Sequence, residues 1–179
     1  MNELMEIEQI KKLKHRYFRH LDCKQFDAML DLFAEGASTS YDSGRHSFEG
    51  KAAIREFFDT AMANPKILHQ HQGHHPEIEL TGDTTATGVW YMDDTVHILE
   101  HNMKVRGNGV YWDEYVKVDG QWKIRHTGYE RLWEYSEVLP ENALTFKSMF
   151  DEDELERRGK RVKRDGEPPL VYWETQAKE

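Results

Sequence analysis

Four of the ten histidines fall within seven residues, His69, His71, His74 and His75, directly before the alternating run Glu77-Ile-Glu-Leu80. Imidazole titrates near neutral pH and is costly to bury unpaired, so this crowding at the start of a strand points to proton transfer or to a metal site. Alternation from Ile67 puts His69 and His71 on one strand face and Leu68 and Gln70 on the other. If the first face lines a cavity, His71 is placed as a general base. If it meets water, the cluster is a solvated rim.

Further groups could serve such a base. Asp94 shares a strand face with Ala86, Trp90 and Met92, where a carboxylate is expensive to bury alone, so pairing with His71 is the economical expectation. Asp22 follows a helical stripe that includes Tyr17; it either caps the next helix, worth about 1 kcal/mol, or offers a carboxylate to the site. Tyr17 is either a core tyrosine with a satisfied hydroxyl or a hydrogen-bond donor to substrate. Tyr129 and Arg131 alternate away from the core residues Trp122 and Ile124, towards the same cavity, although Arg131 could instead form a structural ion pair. His69-x-His71 with Glu77 would suit zinc or iron. The second half of a cupin-type ligand set, a turn bearing Gly and Pro with a further His, is missing, and no metal or other cofactor is expected.

The elements that must hold these groups read clearly. Ile7, Ile10, Leu13, Tyr17 and Leu21 recur at steps of three or four, giving a helix from Leu4 to Leu21. Asp22 to Gln25 resembles a cap opening a second helix that buries Phe26, Leu30 and Phe33 and ends at Gly36. Ser38 to Tyr41 is a short extended piece, followed by the turn Asp42-Ser-Gly44. A third helix runs from Lys51 to Met62 and stops at Asn64-Pro65. From Ile67 to Trp133 the period is two, with turns expected at Thr81-Gly-Asp83, Arg106-Gly-Asn108 and Asp119-Gly120, hence about four antiparallel strands in a meander. The fold expected is α+β: three N-terminal helices packed in a curved antiparallel sheet. Residues 1–135 form that domain, and 136–179 a charged helical extension and tail whose Pro168-Pro-Leu-Val-Tyr-Trp173 is apolar enough to dock.

Bulk properties narrow the partners. The 179 residues fit one domain with a tail. A net charge of −9 argues against a nucleic-acid partner. With no long apolar run and no signal-like segment, no membrane is expected and the cytoplasm is the expected location. The single cysteine, Cys23, excludes an intramolecular disulfide and a Cys-based zinc site. Val110, Trp112, Val116 and Val118 share one parity of an outer sheet face, so a homodimer or homotrimer is expected.

Arg16-Tyr17 with Leu21-Asp22, His71 four residues ahead of His75-Pro76, the hairpin Asp119-Gly-Gln-Trp122, and the run Gln121 to Arg131 resemble, in order and spacing, the SnoaL-like branch of the nuclear transport factor 2-like superfamily. The likeness covers about residues 5 to 133. Within it, the chain is most similar in function-bearing residues to scytalone dehydratase and the bile-acid 7α-dehydratases. That resemblance implies catalytic roles for Tyr17, Asp22 and His71, with Asp94 or His97 as a partner on the next strand, and Arg131 near the end of the last. Trp90, His97, Tyr129 and Arg131 are the candidate substrate-binding residues. His69, His74 and His75 depart from the family's single histidine; the gap-free spacing favours His71. The implied function is a cofactor-independent lyase or isomerase, dehydratase-like, acting on a small hydrophobic cyclic ketone or enone in an enclosed cavity. Two alternatives stand beside it. One is a non-catalytic small-molecule-binding domain. The other is a structural subunit resembling the small subunit of ring-hydroxylating dioxygenases, which usually carries an Asn where this chain has His75-Pro76.

Overall fold

Helix α1 (Glu3–Asp22) buries Ile10, Leu13, Tyr17, Phe18 and Leu21 along one stripe, as its spacing requires. The structure is a computed structural model and describes residues 3–141, 143 and 145–159. The second helix, α2 (Phe26–Leu30), is a single turn and a half. Phe33 does not continue it. It begins strand β1 (Phe33–Tyr41), and Gly36, expected as the helix stop, sits inside that strand at φ +69 where the pairing register shifts. A left-handed residue in a strand marks a bulge, which only glycine enters without strain. Strand β2 (His46–Glu49), unforeseen from the sequence, folds back on β1. Helix α3 (Gly50–Phe57) then runs into a π-helical turn, Phe58–Met62.

Four long strands follow: β3 (Ile67–Leu80), β4 (Thr85–Ile98), β5 (Met103–Val118) and β6 (Gln121–Val138). They form the expected antiparallel meander, in the sheet order β2-β1-β6-β5-β4-β3. The β1–β6 pairing is parallel, so the sheet is mixed and two of its strands precede α3. Arg106-Gly-Asn108 is not a turn. It lies in mid-β5, opposite Thr95, Asp94 and Asp93, and the chain reverses instead at Leu99 to Asn102, where Asn102 takes φ 50. The N-terminal helices and the curved sheet enclose one core, centred on Tyr17, Phe33, Ile54, Phe58, Trp90, Met92, Tyr111 and Ile124. This is the α+β architecture expected from the sequence, with the N-terminal helices against a curved sheet.

Strand β6 continues past residue 135 to Val138. Beyond it, Phe146 packs on the His97 ring (centroids 4.8 Å apart) and Phe150 lies over the Lys24 ammonium at 5.4 Å, ahead of helix α4 (Glu152–Gly159). The apolar segment 168–173 lies outside the described residues. Among those described, no helix is long and apolar enough to cross a membrane.

Candidate active site

His71 and Asp22 meet where the end of α1 crosses the inner face of β3. Asp22 Oδ1 lies 2.6 Å from His71 Nδ1, and Asp22 Oδ2 accepts the His71 backbone N–H at 2.9 Å. A carboxylate can only accept, so Nδ1 carries a proton, and in the neutral ring it is Nε2 that holds the free lone pair. Asp22 therefore spends its oxygens on His71 rather than on the next helix. The residue at the N-cap of α2 is Gln25, which makes no side-chain cap. The imidazole is mostly shielded, its side chain 12% exposed.

One face of the His71 ring is stacked on Phe18, with planes 11° apart and centroids 6.4 Å apart. Phe18 finds room because residue 73, next but one along β3, is glycine: a Cβ there would overlap the Phe18 ring. Phe18 also meets Tyr17 and Tyr111 edge-on, at 5.5 and 5.6 Å.

Asp94 is directly opposite His71 in the β3–β4 register, yet the two do not pair. Asp94 instead takes the guanidinium of Arg131, which donates from Nη1 to Oδ1 at 2.5 Å and from Nη2 to Oδ2 at 3.3 Å. The expected Asp94–His71 pair is thus replaced by two pairs, His71–Asp22 and Arg131–Asp94. A forked guanidinium satisfies a buried carboxylate better than one imidazole nitrogen can. Arg131 Nη2 also donates to the Tyr129 hydroxyl at 3.2 Å. Hydrogen bonding to Asp94 helps to hold the guanidinium well above its ordinary range, against desolvation.

Tyr17 and Tyr129 share a cavity of about 60 Å³ with Tyr41, Phe57, Phe58, Met62 and Tyr111. The Tyr17 and Tyr41 hydroxyls are 2.9 Å apart. Burial pushes both phenols far up, so they remain neutral donors. Tyr41 did not stand out in the sequence; its only signal was inward parity at the end of β1. The π-helical turn brings both Phe58 and Met62 to this wall, and such turns recur at functional sites. His71 is not part of the lining, and Phe18 is the residue that touches both it and Tyr17.

The remaining candidates lie elsewhere. Trp90 is fully buried and donates its indole N–H to the Tyr115 hydroxyl at 3.0 Å, a core position away from the lining of this cavity. His97 is half-buried beneath Phe146, near the far end of β4. His74 and His75 are exposed at a bulge where His75 takes φ 48. His69 lies 6.0 Å from the His71 ring, its Nδ1 buried without a hydrogen-bond partner, and burial with the nearby Lys24 charge pushes its pKa down to about 3. Glu77 follows the bulge, and among the described residues no three His, Cys, Asp or Glu side chains come together as a metal site.

The sequence profile of the SnoaL-like domain matches residues 2–128. A candidate scytalone dehydratase from Novosphingobium aromaticivorans DSM 12444 superposes with a TM-score of 0.69 at 21% identity, over 76% of this chain and 91% of that one. Hexachlorocyclohexane dehydrochlorinase LinA-type3 from Novosphingobium barchaimii LL02 does so with a TM-score of 0.69 at 16% identity, over 80% and 95%. A candidate aromatic ring hydroxylase, also from Novosphingobium aromaticivorans, gives 0.66 at 24% identity, over 80% and 100%. At these identities the superpositions establish the shared fold. The profile match, spanning well over half of the chain, establishes that it belongs to the SnoaL-like family.

Proposed function

We propose that the protein is a cofactor-independent lyase or isomerase that uses His71 as its general base on a small hydrophobic cyclic ketone or enone. One observation carries this reading: Asp22 grips both the ring and the backbone of His71, fixing the tautomer that leaves Nε2 able to take a proton. In the reaction proposed, Nε2 removes a proton from the carbon beside the carbonyl. The electron pair of that C–H bond moves onto the carbonyl oxygen, giving an enolate. Tyr17, with Tyr41 beside it, donates a hydrogen bond to that oxygen. Asp22 stabilises the imidazolium. The imidazolium then protonates a departing hydroxyl, releasing water, or returns the proton to another carbon. Arg131, clamped by Asp94, stands by Tyr129 at the cavity wall as a fixed positive charge. A ring-sized substrate touching both His71 and Tyr17 requires Phe18 to swing aside. The dehydratase and dehydrochlorinase names of the structural neighbours accord with elimination chemistry.

Deuterium uptake from heavy water beside the carbonyl of a panel of small cyclic ketones and enones tests the first step. The native protein should accelerate uptake for at least one compound, and His71→Ala should lower it by roughly 10²- to 10⁴-fold with little change in folding. His74→Ala should be nearly silent. A second reading, a non-catalytic binding domain, draws on the aromatic lining that omits His71. It prevails if no compound exchanges and His71→Ala leaves ligand affinity unchanged.

A further inference from the structure

Lys14 lies one turn before Tyr17 and Phe18 on α1, and its side chain is wholly buried. Its Nζ lies 2.8 Å from Asp113 Oδ2 and donates to Asp113 Oδ1 at 3.0 Å and to Thr127 Oγ1 at 2.9 Å. Asp113 also accepts from the Thr127 hydroxyl at 2.7 Å and the Tyr115 hydroxyl at 2.6 Å, and that tyrosine accepts from Trp90. Burial lowers the lysine's hold on its proton, and Asp113 offsets this only in part. Apolar residues of similar size often stabilise a core as well as such a pair does, so stability is a weak reason for an ion pair here.

What the ammonium faces is more telling. It stands 3.7 Å from the centre of the Tyr111 ring, 4.7 Å from that of Tyr17 and 5.1 Å from that of Phe18. Tyr17 and Tyr111 both line the cavity, and Phe18 is the ring stacked on His71. One buried cation therefore backs three rings of the proposed site. The sequence held a faint sign of this: a lysine within an apolar helical stripe, and an aspartate sharing the inward parity of Tyr111 and Tyr115.

We propose that Lys14, anchored by Asp113 and Thr127, is a positioning residue that fixes the Tyr17 and Tyr111 rings and strengthens the Tyr17 hydroxyl as a donor to an enolate-like oxygen. The proposal rests on the reading of Tyr17 given above. A cation against the face of a phenol draws electron density from the ring, and its attraction grows as negative charge builds on an oxygen bonded to that phenol.

4-Nitrophenol is a suitable probe, a flat ring whose oxygen mimics an enolate and whose ionisation is visible by absorbance. The native protein should bind the phenolate in preference to the phenol. Lys14→Met/Asp113→Asn, its fold checked by circular dichroism, should bind the neutral phenol about equally well. Its preference for the phenolate should fall roughly five- to tenfold. Lys14→Gln/Asp113→Asn retains hydrogen-bonding groups and serves if the methionine version misfolds. A folded double variant with the native preference overturns the role of Lys14 and leaves Tyr17 untouched. A native protein with no preference for the phenolate overturns both, and a native preference that survives Tyr17→Phe overturns the reading of Tyr17.

Discussion

Arg131 reaches Asp94 by crossing β5 directly over Gly107. A Cβ at residue 107 would overlap Arg131 Nη1 and stand 3.1 Å from Asp94 Oδ1. The guanidinium thus spans three strands, from β6 over β5 to β4, through a gap one side chain wide. Gly107→Ala should push the guanidinium off the carboxylate and leave a buried charge short of its partner. A loss of about 2–4 kcal/mol in denaturant unfolding is expected. An alanine variant as stable as the native protein would mean that the pair tolerates displacement.

Gly73 makes a similar space for Phe18, and through it for His71. Gly73→Ala should crowd the Phe18 ring and cost about 1–3 kcal/mol. It should also change the His71 ring proton resonances, because the stacked ring moves. Unchanged His71 resonances would show that the stacking does not depend on residue 73.

These two glycines mark where sequence reasoning was strong and where it was blind. Alternation put His71 on the same strand face as His69 without showing whether that face was the inner one, and the apolar neighbours of Asp94 showed that this carboxylate needed a partner. They could not show which partner, because Arg131 is 37 positions away and reaches it only where β5 lacks a side chain. A glycine beside an asparagine reads as a turn, and nothing local separates that meaning from a gap made for a neighbour's side chain. Phe33 fell to the same kind of ambiguity. Its spacing from Phe26 and Leu30 suits a helix, whereas pairing with β6 draws it into a strand. The α+β class, by contrast, followed from long unambiguous periods, three and a half for α1 and two for β3 to β6.

His69 should leave its mark on acid stability. Its folded pKa is pushed down to about 3, from an ordinary value of 6.5. Between these two values the unfolded chain binds a proton that the folded one refuses, so stability falls as pH drops through that window and the effect is absent above it. His69→Leu should flatten the acid limb of a plot of unfolding free energy against pH, by up to roughly 4 kcal/mol at its low end. A parallel acid limb in the variant would place the proton sensitivity elsewhere.

The outer face of the sheet should join copies of this chain. On β5, Tyr111, Asp113 and Tyr115 point into the core, which turns Val110, Trp112 and Val116 outward. Trp112 is 57% exposed, and on β6 Leu132, Trp133 and Tyr135 are also exposed, with Trp133 and Tyr135 stacked at 9° between planes. Isolated apolar residues on a surface mean little, whereas a run of large aromatic side chains along adjacent strands is costly to leave in water. A closed dimer or trimer would cover it with the same patch of another copy. Light scattering at micromolar concentration should give two or three times the chain mass of 21.2 kDa. Trp112→Glu should shift that mass towards the monomer without unfolding it, since the outward residue contributes nothing to the core. A native protein that scatters as a single chain would leave these aromatics for another partner and end the expectation of a homo-oligomer.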